Sequence, residues 1–250
     1  MTSPPPDEAR QEARQGGRQD IGARRLLEIE RFTRAERYVH WVTAGFMLAL
    51  IATGLVLYNG QLAIYLGHRQ IIALIHLYSG FGLPIPMAAG LFSRAYRADV
   101  RRLDRHTAQD RAWLKARGWR KGSARAAGVR VGKFNAGQKL NAAFLCGAIL
   151  VMAGTGILMW FQNLASVSLR NGATFVHDWL ALAIGFVIIG HVWFAFGDPQ
   201  ARRGMRRGRV PRWWAEEEHG LWAEEVARAD SLAEAESLAE AQARAETERH

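Results

Sequence analysis

Residues 173–196 read ATFVHDWLALAIGFVIIGHVWFAF. The run contains no Lys, Arg or Glu, and Asp178 is its single formal charge. A bilayer core about 30 Å thick is crossed by roughly 20 apolar residues in a helix, so this segment is long enough to span one. His177 and His191 lie fourteen residues apart within it. At 100° per residue that interval falls about 40° short of four full turns, and at 1.5 Å per residue it covers about 21 Å. Both imidazoles are therefore expected on one side of the helix, at two well-separated depths.

Three more blocks share this composition: Trp41–Tyr58, Ile71–Phe92 and Leu140–Phe161. They are too long for the strands of a membrane barrel and do not alternate as such strands do. The expectation is an all-α membrane protein, a four-transmembrane-helix bundle. Pro84 and Pro86 should kink the second span, which membrane helices tolerate. The mean hydropathy of -0.11 hides the pattern, because the charges lie between and beyond the blocks. For the same reason the net charge of +10 points to anionic lipid headgroups and insertion topology, not to nucleic acid.

The connection 93–133 is dense in basic residues, from Arg94 and Arg97 through Lys133. The flanks are basic too, with Arg31, Arg34 and Arg37 before the first span and Arg202, Arg203, Arg206, Arg207 and Arg209 after the fourth. The connections 59–70 and 162–172 offer only Arg69 and Arg170. The positive-inside rule then puts both termini in the cytoplasm. Residues 1–30 read as a polar extension with Pro4, Pro5 and Pro6 and without the apolar core of a cleaved signal peptide. Residues 31–222 read as the membrane domain. Residues 223–250 form an Ala/Glu/Arg-rich tail, read as a solvated helix or as disordered chain. Cys146 is the single cysteine, so no disulfide, iron–sulfur or CxxC zinc site is expected within the chain.

Topology sorts the histidines. The first span runs outward, placing His40 at its cytoplasmic end. The second and fourth run inward, placing His76 and His177 toward the outside and His191 near the cytoplasm. Two pairs result, His76 with His177 and His40 with His191. Fourteen residues after His40 stands Gly54, and fourteen after His76 stands Gly90. Each partner helix would thus offer a ligand at one level and a side-chain-free surface at the other, as a flat macrocycle between helices requires. A lone intramembrane histidine is usually hydrogen-bonded to a neighbouring helix. Four at two matched depths favour two b-type haems, each held by two imidazoles, with His40 and His191 on the inner iron and His76 and His177 on the outer. A di-metal carboxylate site is excluded by spans with no Glu and one Asp. His68, His106, His219 and His250 lie in loops and tails and are not expected to ligate haem.

Arg37-Tyr38-Val39-His40-Trp41, Ile75-His76, Gly132-Lys133-Phe134-Asn135-Ala136-Gly137-Gln138-Lys139, and His177 with His191 resemble the formate dehydrogenase gamma subunit, a di-haem cytochrome b. The resemblance runs from about Arg31 to Trp222. It implies a place in the bacterial inner membrane and two partners outside: a molybdenum- or tungsten-pterin alpha subunit that oxidises formate and an iron–sulfur beta subunit. Electrons would enter at the outer haem and leave to a quinone at the inner one. The chain itself would make no bond to formate. The resemblance also implies that Asn135, Gly137 and Gln138 border the quinone headgroup, where amide and backbone N–H groups donate to a carbonyl oxygen without carrying charge. On the residues alone, the same segment reads equally as a helix start that needs a cap.

Arg34, Arg37 and Lys139 read either as partners for haem propionates or as markers of the headgroup boundary. Asp178 is a candidate to orient His177 or to meet the outer partner, and Asp198 a candidate proton entry. Trp41, Trp160 and Trp193 read as interfacial anchors. One departure stands out: where the family often has His-His-Pro after a basic segment, this chain has Glu218-His219-Gly220. Two rival readings remain. One is a cytochrome b serving another periplasmic enzyme, such as a hydrogenase or a thiosulfate-type reductase. The other is a haem-free scaffold or transporter, made less attractive by the absence of inverted-repeat signals.

Overall fold

A computed structural model describes residues 27–120 and 122–247. Most of the N-terminal extension (residues 1–26) and His250 lie outside the described residues. The chain opens with a short strand β1 (Glu28–Glu30), followed by α1 (Arg34–Tyr58), α2 (Gly60–Leu66), α3 (Arg69–Gly82) and α4 (Pro84–Gly90). The basic connection folds into α5 (Arg94–Asp104), α6 (Ala108–Lys115) and α7 (Ser123–Ala126). Then come α8 (Ala136–Trp160), α9 (Val167–Gly197), α10 (Pro199–Arg207), strand β2 (Arg209–Pro211), α11 (Arg212–Glu218) and α12 (Gly220–Thr247).

Four stretches are long and apolar enough to cross a membrane: α1, α3 with α4, α8 and α9. Three of them begin several residues before the apolar blocks, because a helix starts at its cap and not at the hydrocarbon boundary. Glu36 accepts the Thr33 backbone N–H at the head of α1, Asn135 accepts the Gln138 N–H at α8, and Ser166 accepts the Leu169 N–H at α9. The second span breaks where proline demands it: α3 stops at Gly82 and α4 starts at Pro84. Pro84 and Pro86 have no N–H to give to the carbonyls four residues back.

The bundle forms by pairing α1 with α3 and α4, and α8 with α9. Between the pairs lies an apolar septum of Met47, Leu83, Ala148, Ile149 and Ile184. The remaining apolar surface faces outward; Phe186 is 67% exposed and Trp193 77%. Such exposure suits a helix surrounded by lipid tails as apolar as itself.

Close approach of α1 and α3 depends on Gly82. A Cβ there would stand 2.6 Å from the Phe46 ring edge. Gly82→Ala should therefore destabilise the purified protein by about 1–3 kcal/mol through overpacking. Phe46→Leu in the same chain should restore much of the loss in a thermal unfolding assay. Equal stability of wild type and Gly82→Ala would show that this contact is not close-packed.

At one end of the bundle, β1 pairs antiparallel with β2, matching Ile29 to Val210, so the flanks of α1 and α9 meet there. This ribbon end carries a second core of Ile29, Val210, Trp214, Ala215, Trp222 and Ala223. Beyond it the tail is helical to Thr247 with its side chains largely in solvent, in keeping with the solvated-helix reading of that stretch.

Candidate functional site

The structure brings together both histidine pairs. The rings of His40 on α1 and His191 on α9 have centroids 6.2 Å apart, and those of His76 on α3 and His177 on α9 have centroids 6.3 Å apart. The rings are tilted by 52° and 60°, so neither pair is stacked face to face. Metal–imidazole bonds are about 2 Å and a ring nitrogen lies about 1 Å from its ring centre, so two imidazoles in line on one iron have centroids roughly 6 Å apart. Both pairs fit an iron between them. The septum of Met47, Ala148 and Ile184 separates the two levels.

The His76–His177 pair has polar support that sequence reasoning missed. Thr53 Oγ1 on α1 lies 2.9 Å from His76 Nδ1, and Thr155 Oγ1 on α8 lies 2.8 Å from His177 Nδ1. Glycines follow both threonines. A Cβ on Gly54 would stand 3.5 Å from His76 Cε1, and one on Gly156 would stand 3.6 Å from His177 Cε1. The repeated Thr-Gly at 53–54 and 155–156 was the available signal. Asp178 makes no hydrogen bond to His177, whose Nδ1 is already engaged by Thr155. Gly90 also departs from expectation: its surface is taken by Tyr96 and Val39, whose side chains would lie 2.9 Å from a Cβ there.

At the end of the bundle that carries His40 and His191, the Asn135-Ala136-Gly137-Gln138 stretch begins α8 as a reciprocal cap. Asn135 Oδ1 accepts the Gln138 N–H at 2.9 Å, and Gln138 Oε1 accepts the Asn135 N–H at 3.0 Å. Capping consumes the two amide oxygens and leaves both NH₂ groups as donors, so cap and donor are compatible roles for the same side chains. Gly137 lies under Trp113 of α6, whose Cη2 would be 3.1 Å from a Cβ. Lys139 fixes α6 in that place. Its Nζ donates to Asp110 Oδ2 (2.7 Å) and to the Arg105 carbonyl (2.8 Å) in a buried setting. Lys139 is thus a strut of the connection and not a free cation at the headgroup boundary. Arg37 donates to the Arg206 carbonyl, and Trp41, half exposed, donates to the Met205 carbonyl.

Residues 31–204 match the family described as prokaryotic cytochrome b561. The chain belongs to that family. It is a multi-pass membrane cytochrome of the b type, and haem b binding comes with the family, which removes the haem-free scaffold or transporter reading. Among curated relatives, the cytochrome b556(Fdn) subunit of nitrate-inducible formate dehydrogenase from Escherichia coli is 29% identical over 104 residues, covering 40% of this chain and 48% of the relative. The formate dehydrogenase cytochrome b556 subunit of Haemophilus influenzae is 32% identical over 97 residues, covering 38% and 41%. The cytochrome b556(fdo) subunit of Escherichia coli formate dehydrogenase is 25% identical over 210 residues, covering 80% and 94%. The chain therefore spans about half of the first two and nearly all of the third.

This b561-family cytochrome has a buried charged cluster at the ribbon end. Lys133 Nζ bonds Asp99 Oδ2 at 2.5 Å and stands 3.4 Å from Glu36 Oε1, all three side chains being buried. Burial and the neighbouring Glu36 carboxyl push Asp99 up to about 7, although Lys133 opposes the shift. With Arg102 these residues line a cleft of about 230 Å³. Asp198, expected as a proton entry, instead caps α10 by accepting the Gln200 and Ala201 N–H groups. His219 is no haem ligand but a buried clamp: Nδ1 bonds the Gly132 carbonyl at 2.7 Å, and Nε2 lies 3.2 Å from Arg31 Nη2. Arg31 is itself buried, donates to the Lys133 carbonyl, and has its guanidinium 4.7 Å from the Trp214 ring centre.

Proposed function

We propose that this cytochrome is the membrane subunit of a formate dehydrogenase, holding two haems b and passing electrons to a quinone. His76 and His177 hold the outer haem, His40 and His191 the inner. The observation that carries the reading is the pair of ring separations, 6.2 and 6.3 Å, at two levels of one bundle. Formate as the donor rests on the names of the relatives, the longest match covering 80% of the chain.

The orientation follows the charges. The ribbon end carries the basic flanks and the basic connection, so it lies in the cytoplasm, with both termini, and the histidines His76 and His177 face the outside of the bacterial inner membrane. Iron–sulfur beta and molybdenum- or tungsten-pterin alpha subunits dock on that outer side. Bound haem supplies a one-electron redox centre with no open coordination position. The protein does the rest. Asn135 and Gln138 offer amide N–H donors to a quinone carbonyl, their oxygens being spent on the cap, while Gly137 gives Trp113 room to pack over the head of α8. Asp99, pushed up by burial and by Glu36, lines the cleft at the same end and is the carboxyl best suited there to pass protons.

A reduced-minus-oxidised spectrum with haem quantification on the detergent-solubilised chain tests the core of this reading. Two haems per chain with low-spin bis-imidazole bands are expected, and co-purification with a formate-oxidising partner would assign the donor. One haem or none in folded protein would overturn the two-level arrangement. A hydrogenase or thiosulfate-type reductase as the co-purified partner would overturn formate alone.

A further inference from the structure

The two threonines beside the outer pair have no place in the function so far. Each hydroxyl has one proton and two acceptor lone pairs. Thr53 Oγ1 lies 2.6 Å from the Ala49 carbonyl and Thr155 Oγ1 lies 2.8 Å from the Val151 carbonyl. A carbonyl only accepts, so both hydroxyl protons go there. Toward the histidines the oxygens must then act as acceptors, and His76 Nδ1 and His177 Nδ1 must carry the protons they donate. That fixes the tautomer of both rings and leaves both Nε2 lone pairs bare, as a metal requires.

The arrangement is duplicated. The threonines sit on α1 and α8, the histidines on α3 and α9, and each threonine is followed by a glycine whose Cβ position would lie in ordinary contact with the histidine ring. The inner level has nothing comparable: among the described residues no group hydrogen-bonds the ring nitrogens of His40 or His191. The asymmetry separates two centres that otherwise have the same ligands and nearly the same ring spacing.

We infer that Thr53 and Thr155 are positioning residues of the outer haem, which set ligand tautomer and orientation and hold its potential down, without acting on the inner haem. The inference rests on the two-haem reading above. A proton shared with an acceptor makes an imidazole a stronger donor to iron, which favours the oxidised state. The outer centre thereby becomes the better electron donor of the two, the order that inward transfer needs.

Thr53→Val and Thr155→Val preserve shape and remove the acceptor. Each should weaken outer-haem retention against excess apomyoglobin by roughly 10–100-fold, the usual effect of losing an outer-shell partner. Each should also raise the outer midpoint potential in a redox titration, with the inner midpoint unmoved. Thr53→Ser and Thr155→Ser keep a hydroxyl and should return both readouts toward wild type. Valine variants with two haems at wild-type potentials and retention would overturn the inference. So would serine variants that lose the outer haem as readily as valine ones, because packing of the methyl group would then be the cause. A wild-type protein with no outer haem would instead remove the two-haem reading itself.

Discussion

Replacing His191 with alanine should lower the haem content from two per chain to one and cut electron delivery to quinone by more than about 100-fold, beyond the upper end of what loss of a mere outer-shell partner does. The haem that survives should be the outer one. His177 stands fourteen residues away on the same helix, and its support comes from Thr155 on α8, which the substitution does not touch. The septum of Met47, Leu83, Ala148, Ile149 and Ile184 lies between the two levels and should keep the bundle assembled. Dithionite should still reduce the remaining centre, whereas added quinol should not. His76→Ala should give the complement, a chain whose remaining haem exchanges electrons with quinol but not with a partner on the outer side. Quantification by pyridine haemochrome, together with potentiometry on each variant, separates the two outcomes. Wild-type haem content and turnover in His191→Ala would remove the inner site as drawn.

What the sequence made legible here was local or periodic. Four apolar blocks announced four spans, and the fourteen-residue interval between His177 and His191 fixed their common face from helix geometry alone. Basic residues at the span ends then assigned a depth to His40 and His76, and the structure brings the same pairs together. Side chains whose partners come from another helix were not legible. Thr53 in an apolar span reads as filler, since a threonine there usually bonds its own helix, as this one also does with the Ala49 carbonyl. Its second contact, to His76 on α3, depends on the register of two helices. Neighbours supplied by chain that folds back were equally hidden: the connection 93–133 brings Asp110 to Lys139 and Tyr96 to Gly90, and the turn after α9 sets Asp198 at the head of α10.

His219 shows the same limit at greater range, and it carries the second large expectation. The cap that joins β1, β2 and α11 to the head of α8 closes around one neutral imidazole. Against its ring pack Trp214, tilted, and Trp222, edge to face; at its Nδ1 is the Gly132 carbonyl and at its Nε2 the buried guanidinium of Arg31. Burial is the main reason, and the Arg31 charge the next, that His219 is pushed down to about 3; its bond to Gly132 opposes the shift only in part. Arg31, lowered by burial to about 10, is charged throughout the physiological range. A second positive charge on His219 would face it directly.

The direction of the pH effect follows from proton counting. An unfolded histidine takes up its proton near pH 6.5, whereas the folded one resists until about 3. Between those values the opened state binds more protons, so cap stability is complete above about 6.5 and falls as the pH drops below it. Exposed pairs such as Arg102 with Glu225 and Arg130 with Glu224 contribute too little to compensate. The cap ties the entry to α1, which carries His40, to the exit from α9, which carries His191, through the Arg31 and Phe32 N–H bonds to the Gly208 carbonyl. Acidification toward pH 4 should therefore release the inner haem before the outer, with the outer haem as internal control. His219→Gln should lower stability at pH 7.5 by about 1–3 kcal/mol, because its bonds to Gly132 and Arg31 are remade poorly, and should flatten the dependence below pH 6.5. Hydrogen exchange over residues 205–222, followed with haem release across pH 4–8, tests this. Equal acid lability of the two haems, or an unchanged pH profile in His219→Gln, would show that the cap does not govern the inner site.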